Sequence, residues 1–263
     1  MFSASLRLPI MSHSVLRILR NGFRAGAFLA LAAPAFAAAA TEAQTPRAVI
    51  ELFTSQGCSA CPPADAKLIE LARDPDLIAL TLHVDYWDYL GWEDTLAQPA
   101  FSERQRAYAE TRGDRGVFTP QMVVNGLYAC IGSDPRAIAA SLAAADRHAT
   151  RLPVPVSVTR EGRDLTIALH GDHDAGGEIW LLQVEPLISV AIERGENKGR
   201  EAHYGNVVRA MSRVAEWDGT AMRVSARLAD ATGRFVVLVQ HHDDAVPGRI
   251  LGAARGDGLL AAH

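Results

Sequence analysis

Two cysteines separated by two residues carry the clearest chemistry in this sequence. Cys58 and Cys61 stand in the segment Gly-Cys-Ser-Ala-Cys-Pro-Pro, directly after the apolar run 48–54. Unpaired backbone N–H groups and the macrodipole at a helix N-terminus stabilise a thiolate, which lowers the thiol pKa and raises its reactivity at neutral pH. We therefore predict that Cys58 is an attacking thiol at the start of a helix and that Cys61 is the resolving thiol one turn further in.

Cysteines at this spacing also build zinc sites and structural disulfides. A zinc site needs four ligands, and Cys130 is the only further cysteine, so histidines would have to complete the site. An inert disulfide is a second alternative in an oxidising compartment. In such a compartment, Cys130 is left without a cysteine partner once Cys58 and Cys61 form a disulfide. We favour a buried thiol that packs as a small apolar side chain over a second reactive group.

The elements that must position these cysteines lie between residue 47 and about residue 145, where apolar strands alternate with helical patterns. This alternation is typical of an α/β fold. The run 49–54 predicts the first strand, and Pro62-Pro63 predicts the first turn of a helix, where no N–H is lost. The run 77–84 predicts a central strand. Asn125-Gly126 between two apolar runs predicts a β-hairpin.

After Pro153 and Pro155 the pattern changes to short alternating runs divided by turn signals, with no convincing helix among them. Short strands at this spacing are typical of an antiparallel sandwich. We therefore predict an α/β domain over residues 46–149, followed by an all-β antiparallel, sandwich-like domain over residues 152–256.

The order of parts in the first half resembles the thioredoxin-like fold. A strand leads into the C-x-x-C pair and a helix, and Thr119-Pro120 later precedes the hairpin. The resemblance implies that Pro120 is a cis-proline lying against the active disulfide and that Thr119 tunes its reduction potential. It also implies that Cys58 attacks, that Cys61 resolves, and that the backbone of the proline loop pairs with an incoming peptide.

Three longer segments are similar to a secreted bacterial family that carries a domain-of-unknown-function label. They are Glu-Leu-Phe-Thr-Ser-Gln-Gly-Cys-Ser-Ala-Cys-Pro-Pro-Ala-Asp, His-Val-Asp-Tyr-Trp-Asp and Thr-Pro-Gln-Met-Val-Val-Asn-Gly. This similarity implies a fold and a compartment but no activity.

Three positions depart from the thioredoxin pattern. Leu52 stands where thioredoxins carry a buried acid that assists proton transfer to the resolving thiol. The neighbouring Glu51 should face the other side of its strand. Gly57 replaces a tryptophan, and Pro62 stands where a basic residue is common. These departures argue against a general reductase that acts on many substrates.

Four aromatic side chains in the loop after the second strand are the predicted substrate-binding residues. Four large rings in one short acidic loop are more than packing usually requires, so we expect a lid beside Cys58. The alternative is that two of the rings fill the core while the acids solvate the loop. The four residues are Tyr86, Trp87, Tyr89 and Trp92.

Several histidines and one glycine-rich segment are further candidates. His83 lies in an apolar strand, where we expect a hydrogen-bonded core residue rather than a ligand. Residues 170–174 and 241–244 are rich in His and Asp but fall in predicted turns, so we predict no metal site there. Residues 194–200 form either an ordinary hairpin tip or a loop that reaches the first domain and shapes a substrate groove.

Charge and the N-terminal segment restrict partners and location. The chain has 26 Lys+Arg against 30 Asp+Glu, which argues against nucleic acid or anionic membrane as a partner. An arginine-rich start, the apolar run 25–33 and Ala35-Phe36-Ala37 predict a secretory signal peptide over residues 1–37, with Met1 or Met11 as its start. The apolar run is too short for a membrane span. We expect a periplasmic or secreted protein without a membrane span in the mature chain.

Two classes of function follow from these observations. The leading hypothesis is an exported thiol–disulfide oxidoreductase that needs no cofactor and acts on a protein or a small thiol or disulfide. The alternative is a periplasmic binding module, in which Cys58 and Cys61 bind Cu(I) or form an inert structural disulfide. Copper chaperones of this type usually have a C-x-x-x-C spacing and a histidine after it, which this chain lacks in the expected place, so copper ranks second.

N-terminal sequencing of the exported protein tests the signal peptide. We expect the exported form to begin near Ala38, because small residues at positions 35 and 37 fit the cleavage rule. Periplasmic material that retains Met1 or Met11 would contradict the prediction.

Overall fold

The computed structural model describes residues 45–147, 151–231, 233–243 and 246–260. The predicted signal peptide lies outside these residues. The first half contains, in chain order, β1 Ala48–Thr54, α1 Pro62–Leu71, β2 Leu77–His83, a 3₁₀ turn Asp88–Leu90, α2 Pro99–Arg112, β3 Gln121–Val124, β4 Tyr128–Ile131 and α3 Pro135–Ala145. The second half contains β5 Val156–Glu161, β6 Asp164–Leu169, β7 Gly177–Ala191, β8 Glu201–Trp217, β9 Met222–Arg227, β10 Arg234–Asp243 and β11 Val246–Arg255.

The first half has the alternation of strands and helices that the sequence predicts. β1 and β2 are parallel and β3 is antiparallel to β1, which gives the strand order β2-β1-β3-β4. β1 and β2 are buried along their whole length, because α1 and α3 pack on one face of the sheet and α2 packs on the other. Asn125 and Gly126 both have positive φ in the turn between β3 and β4, as the predicted hairpin requires.

Four of the seven strands of the second half join the sheet of the first half instead of forming a separate one. β11, β10, β7 and β8 continue the sheet of the first half in the order β11-β10-β7-β8-β2-β1-β3-β4. The junction is a parallel contact in which Thr81 of β2 lies opposite Val207 of β8, and the Thr81 hydroxyl donates to the Gly205 carbonyl at 2.7 Å. The molecule is therefore a mixed α/β structure with one large mixed sheet.

A smaller antiparallel sheet has the order β5-β6-β9. Its apolar side chains, such as Leu165 and Ile167, share a buried cluster with Ile179, Val237 and others from the large sheet. Among the described residues, the second half thus contributes four strands to the large mixed sheet and forms a smaller antiparallel sheet, and the sandwich-like domain stays a prediction. The domain boundaries at residues 149 and 152 stay a prediction, and the change to β-rich structure falls between α3 and β5.

A buried ion pair between β1 and α2 is hydrogen-bonded to a strand of the second half. Glu51 of β1 is fully buried and pairs with Arg104 of α2, with Nε 2.7 Å from Oε1. The hydroxyl of Tyr108 donates to Glu51 Oε2 at 2.6 Å, and Arg104 donates to Gln240 of β10 at 3.0 Å. Burial opposes the charged guanidinium, but the attraction of Glu51 outweighs it and raises the pKa of Arg104. Glu51 faces α2 and its neighbour Leu52 faces α1, as strand alternation predicts.

Replacing Glu51 with Gln tests the importance of this ion pair. We expect the free energy of unfolding to fall by about 3 kcal/mol, because Arg104 is left buried without a counter-charge. The control is Asp164→Asn, which breaks the exposed pair between Asp164 and Arg227 and should change stability by less than about 0.5 kcal/mol. Urea denaturation measures both. A Glu51→Gln variant as stable as the control would contradict the prediction.

Candidate functional site

Cys58 and Cys61 form a disulfide. Cys61 is the N-cap residue of α1, and Cys58 lies in the turn that precedes the helix. The sequence predicted Cys58 at the helix start and Cys61 one turn inside, and that prediction is wrong because the helix begins at Pro62. Cys58 has only 2% of its surface exposed and Cys61 has none, whereas an attacking thiol is expected to be accessible to its partner. The bond lies beneath other side chains.

The first turn of α1 offers no free N–H group to a cysteine sulfur. Pro62 and Pro63 have no N–H, and the N–H groups of Ala64 and Asp65 both donate to the carbonyl of Cys61, at 2.8 and 3.1 Å. The Cys61 side chain accordingly accepts no capping hydrogen bond. Stabilisation of a thiolate by unpaired N–H groups, which the sequence predicted, is therefore missing here. The helix macrodipole remains.

Asp65 is a buried acid that the sequence analysis missed. It lies one helical turn after Cys61, and its Oδ1 accepts a hydrogen bond from the Thr54 hydroxyl at 2.7 Å. Burial is the main reason that the pKa of Asp65 is raised from its ordinary 3.8 to about 8, the Thr54 hydrogen bond opposes this rise, and the charge of Asp94 contributes to it. Burial therefore favours the neutral form of the Asp65 carboxyl group. Its place in Pro-Pro-Ala-Asp, four residues after a cysteine on the same helical face, was the available signal.

Gln56 connects the disulfide turn to the rest of the site. Its backbone N–H donates to Asp94 Oδ2 at 2.7 Å, and its side-chain Oε1 accepts from the Trp92 indole at 2.8 Å. Its carbonyl accepts from the side-chain amide of Asn197 at 2.9 Å, and the same amide donates to the Cys58 carbonyl at 2.9 Å. Two separate loops of the chain, one with Trp92 and Asp94 and one with Asn197, therefore hold this turn.

His83 is a buried, hydrogen-bonded core residue, as predicted. Its Nδ1 lies 2.8 Å from Asp94 Oδ2, and its ring meets the Tyr204 ring edge to face, with the centroids 4.4 Å apart. Its Nε2 is buried without a hydrogen-bond partner. Burial raises the pKa of Tyr204, and the charges of Asp65 and Asp94 add to this effect. His83, Tyr204 and two carboxyl groups thus lie close together beside the disulfide.

The four predicted aromatic residues do not share one environment. The Trp87 indole donates to the Thr119 hydroxyl at 2.7 Å, and Trp87 also packs against Gly57 in the turn before Cys58. Trp92 contacts the same turn through Gln56, as described above. Tyr86 donates to Gln105 of α2 at 3.0 Å, while Tyr89 is 80% exposed. A role in substrate binding stays a prediction for all four.

The Thr119–Pro120 peptide bond is cis, as the resemblance to thioredoxins implied. Trp87 links this bond to the disulfide turn, because its indole donates to Thr119 while its Cβ and backbone carbonyl lie beside Gly57. The structure thereby brings the predicted site residues Cys58, Cys61 and Thr119 into one neighbourhood. Their catalytic roles stay predictions.

The glycine-rich segment is both a hairpin tip and a loop that reaches the disulfide. It connects β7 to β8, and residues 193–196 and 198–200 are exposed. Asn197 between them is 2% exposed because its side chain points at the turn around Cys58. Gly195 lies against Trp92, where an added Cβ would come within 3.0 Å of the Trp92 Cβ.

The remaining candidates lie apart from the disulfide. Cys130 is a buried free thiol on β4, as predicted, and burial raises its pKa. Within residues 45–147 and the later described ranges, no three His, Cys, Asp or Glu side chains are grouped to hold a metal ion. No helix in the same part of the chain is long and apolar enough to cross a membrane.

Comparison with known proteins gives a family and a solved relative. The family model described as "Protein of unknown function (DUF1223)" matches residues 49–240. The X-ray crystal structure of a structural genomics target from Agrobacterium tumefaciens is 33% identical in sequence and has a TM-score of 0.72. The similarity covers 84% of this chain and 99% of that chain. No curated protein matches this chain at a significant level.

The raised pKa of Asp65 predicts a pH-dependent stability. Below about pH 4 the side chain is neutral in both states. Between 3.8 and about 8 the unfolded chain releases a proton that the folded chain keeps, so the free energy of unfolding falls as pH rises through this window. Asp65→Asn should remove that fall and stabilise the protein at pH 8 by on the order of 3 kcal/mol relative to the native chain.

Denaturation of the native chain and of Asp65→Asn at pH 5 and pH 8 measures this change in the free energy of unfolding. Asp146→Asn at the exposed end of α3 serves as the control and should leave the pH dependence unchanged. The prediction is contradicted if Asp65→Asn keeps the native difference between the two pH values.

Proposed function

Since the chain belongs to the DUF1223 family, whose description gives no activity, its function must come from the site, and we propose an exported thiol–disulfide oxidoreductase. Its redox group is the Cys58–Cys61 pair. The observation that carries the proposal is Asp65, a buried carboxyl group one helical turn from Cys61 whose pKa is raised by burial. A purely structural disulfide does not need a proton donor nearby, whereas disulfide exchange releases and takes up protons.

The fold supports this proposal. We propose that residues 46–149 form a thioredoxin-like unit and that residues 152–256 form a sandwich-like extension of it. The strand order β2-β1-β3-β4, the disulfide at the start of α1 and the cis bond before Pro120 support the first part. The small sheet packed on β7, β10 and β11 supports the second.

The proposed reaction begins with a partner thiolate. It attacks Cys58 Sγ, a mixed disulfide forms, and the electron pair of the Cys58–Cys61 bond leaves on Cys61 Sγ. Asp65 supplies the proton that converts the Cys61 thiolate to a thiol. It is suited to this step because its pKa of about 8 lies close to that of a thiol.

The second step releases the partner. A second partner thiolate attacks the partner sulfur of the mixed disulfide, and Cys58 leaves as a thiolate. The partner has then lost two electrons and become a disulfide, and the cysteine pair has gained two electrons. Of the two protons that the partner thiols release, one protonates the Cys58 thiolate and the other restores Asp65, which has given its own proton to Cys61. In the reverse direction the Asp65 carboxylate deprotonates Cys61, and Cys58 attacks a partner disulfide.

An inert structural disulfide is the second candidate. The observation that favours it is the burial of both cysteines, of which Cys58 is 2% exposed, since a reactive disulfide must be reached by its partner. The two candidates differ in whether Cys58 exchanges with other thiols. The compartment enters the proposal through the predicted signal peptide, and the partner is a protein or a small thiol or disulfide.

Trapping of mixed disulfides tests the proposal. In a Cys130→Ala background, Cys61→Ser should leave Cys58 able to attack a partner disulfide but unable to release it, so mixed disulfides accumulate and disappear on addition of reductant. Cys58→Ser is the matched control and should trap nothing. Non-reducing gels and mass spectrometry of periplasmic extracts detect the adducts. If Cys61→Ser traps no more than Cys58→Ser, the bond is structural.

A further inference from the structure

We propose that Asn197 is the latch of a displaceable cap over the disulfide, and that the partner that displaces it is a polypeptide segment. The cap is the loop of residues 193–200 between β7 and β8. The inference rests on the proposed redox function of the Cys58–Cys61 pair. It names Asn197 as a residue that determines which substrates reach that pair.

The latch is the side-chain amide of Asn197. Its Nδ2 donates to the carbonyls of Gln56 and Cys58, each at 2.9 Å. The atom between two carbonyl oxygens must be a donor, so the orientation of the amide follows from its partners. Asn197 is 2% exposed although its neighbours in the cap are exposed. A polar side chain from a surface loop is therefore buried at the turn that carries Cys58.

The cap is built to move as a unit. Its other hydrogen bonds, among the described residues, lie within the loop or at its base, such as the bonds between the backbones of Ile192 and Arg200 and of Lys198 and Gly195. Removing the amide of Asn197 from the disulfide turn thus leaves the internal structure of the loop intact. Within the described chain, the hydrogen bonds from the cap to that turn are the two made by Asn197.

One polar atom of the latch has no hydrogen-bond partner. Asn197 Oδ1 is buried and has no hydrogen-bond partner. A buried acceptor without a donor destabilises the closed state by an amount comparable to what a hydrogen bond contributes. It offsets part of the stabilisation that the two Nδ2 bonds provide. The closed state is therefore held weakly, and lifting the cap returns Oδ1 to water.

The chemistry of the latch identifies the displacing partner. The side-chain amide of Asn197 is the same chemical group as a backbone amide, with an N–H donor beside a carbonyl. When the cap lifts, the carbonyls of Gln56 and Cys58 need new donors. An extended polypeptide offers backbone N–H groups next to its cysteine and can replace Asn197 directly. A small dithiol without N–H groups cannot, and must wait for the cap to open by itself.

Rates of disulfide reduction test the inference. The full chain with its Cys58–Cys61 disulfide is reduced by dithiothreitol or by a reduced, unstructured peptide with two cysteines, and new thiols are counted by mass spectrometry after alkylation. Asn197→Asp replaces the donor with a carboxylate that the two carbonyls repel, and Asn197→Ala removes the donor without adding charge. We expect both variants to react with dithiothreitol about tenfold faster than the native chain, since a lost hydrogen bond is worth roughly that factor.

The rate of reduction by the peptide should rise less than about threefold with the same substitutions, because the peptide already displaces Asn197 in the native chain. Asn206→Asp is the matched control. Asn206 is also a buried asparagine of β8 and donates to a backbone carbonyl, that of Ala79, away from the disulfide. It should leave both rates within about twofold of the native values even though it lowers the thermal stability.

Each outcome has one meaning. Unchanged rates in both Asn197 variants, in protein that melts like the native chain, overturn the latch. Equal acceleration with dithiothreitol and with the peptide overturns displacement by a polypeptide. If neither reductant opens the disulfide in any variant, the proposed redox function fails instead, and the inference falls with it.

Discussion

The burial of Glu51 in the middle of β1 constrains much of this structure. A carboxylate that is shielded from water requires a cation and hydrogen-bond donors nearby, and Arg104 and Tyr108 supply both from α2. Gln240 of β10 in turn accepts a hydrogen bond from Arg104 and donates one to Tyr108. One charge in the first half of the chain thereby fixes the position of a helix and of a strand from the second half. The end of β1, where the disulfide turn begins, is held in place by the same contacts.

The site repeats this principle on a smaller scale. Gln56 follows β1 by two residues and uses its N–H, its side chain and its carbonyl to bind Asp94, Trp92 and Asn197. Because every polar group of a buried residue needs a partner, one glutamine brings two distant loops together, one with Trp92 and Asp94 and one with Asn197. The cysteine pair is consequently surrounded by side chains that no short motif contains. Its surroundings therefore include Asp65 and Asn197, which lie outside the C-x-x-C motif.

Much of the first half could be predicted because its signals are local. The alternation of strands and helices, the hairpin at Asn125, the buried His83 and the disulfide itself all follow from short segments. The errors arise where distant segments meet. The pairing of β8 with β2 was missed, because an alternating run does not reveal which sheet edge it joins. The burial of Cys58 was missed because one of the side chains that hold its turn, that of Asn197, lies 139 residues away in sequence.

The same separation in sequence has a consequence for how the protein is made. Contacts between distant residues form late, since the intervening chain must first be synthesised and ordered. The two cysteines are synthesised well before the loop that contains Asn197, which lies beyond β7. On a chain that emerges from its N-terminus, the two sulfurs are therefore accessible before residue 197 exists, and the loop with Asn197 reaches them only afterwards. The nascent chain and the folded protein thus present different surfaces to the thiols around them.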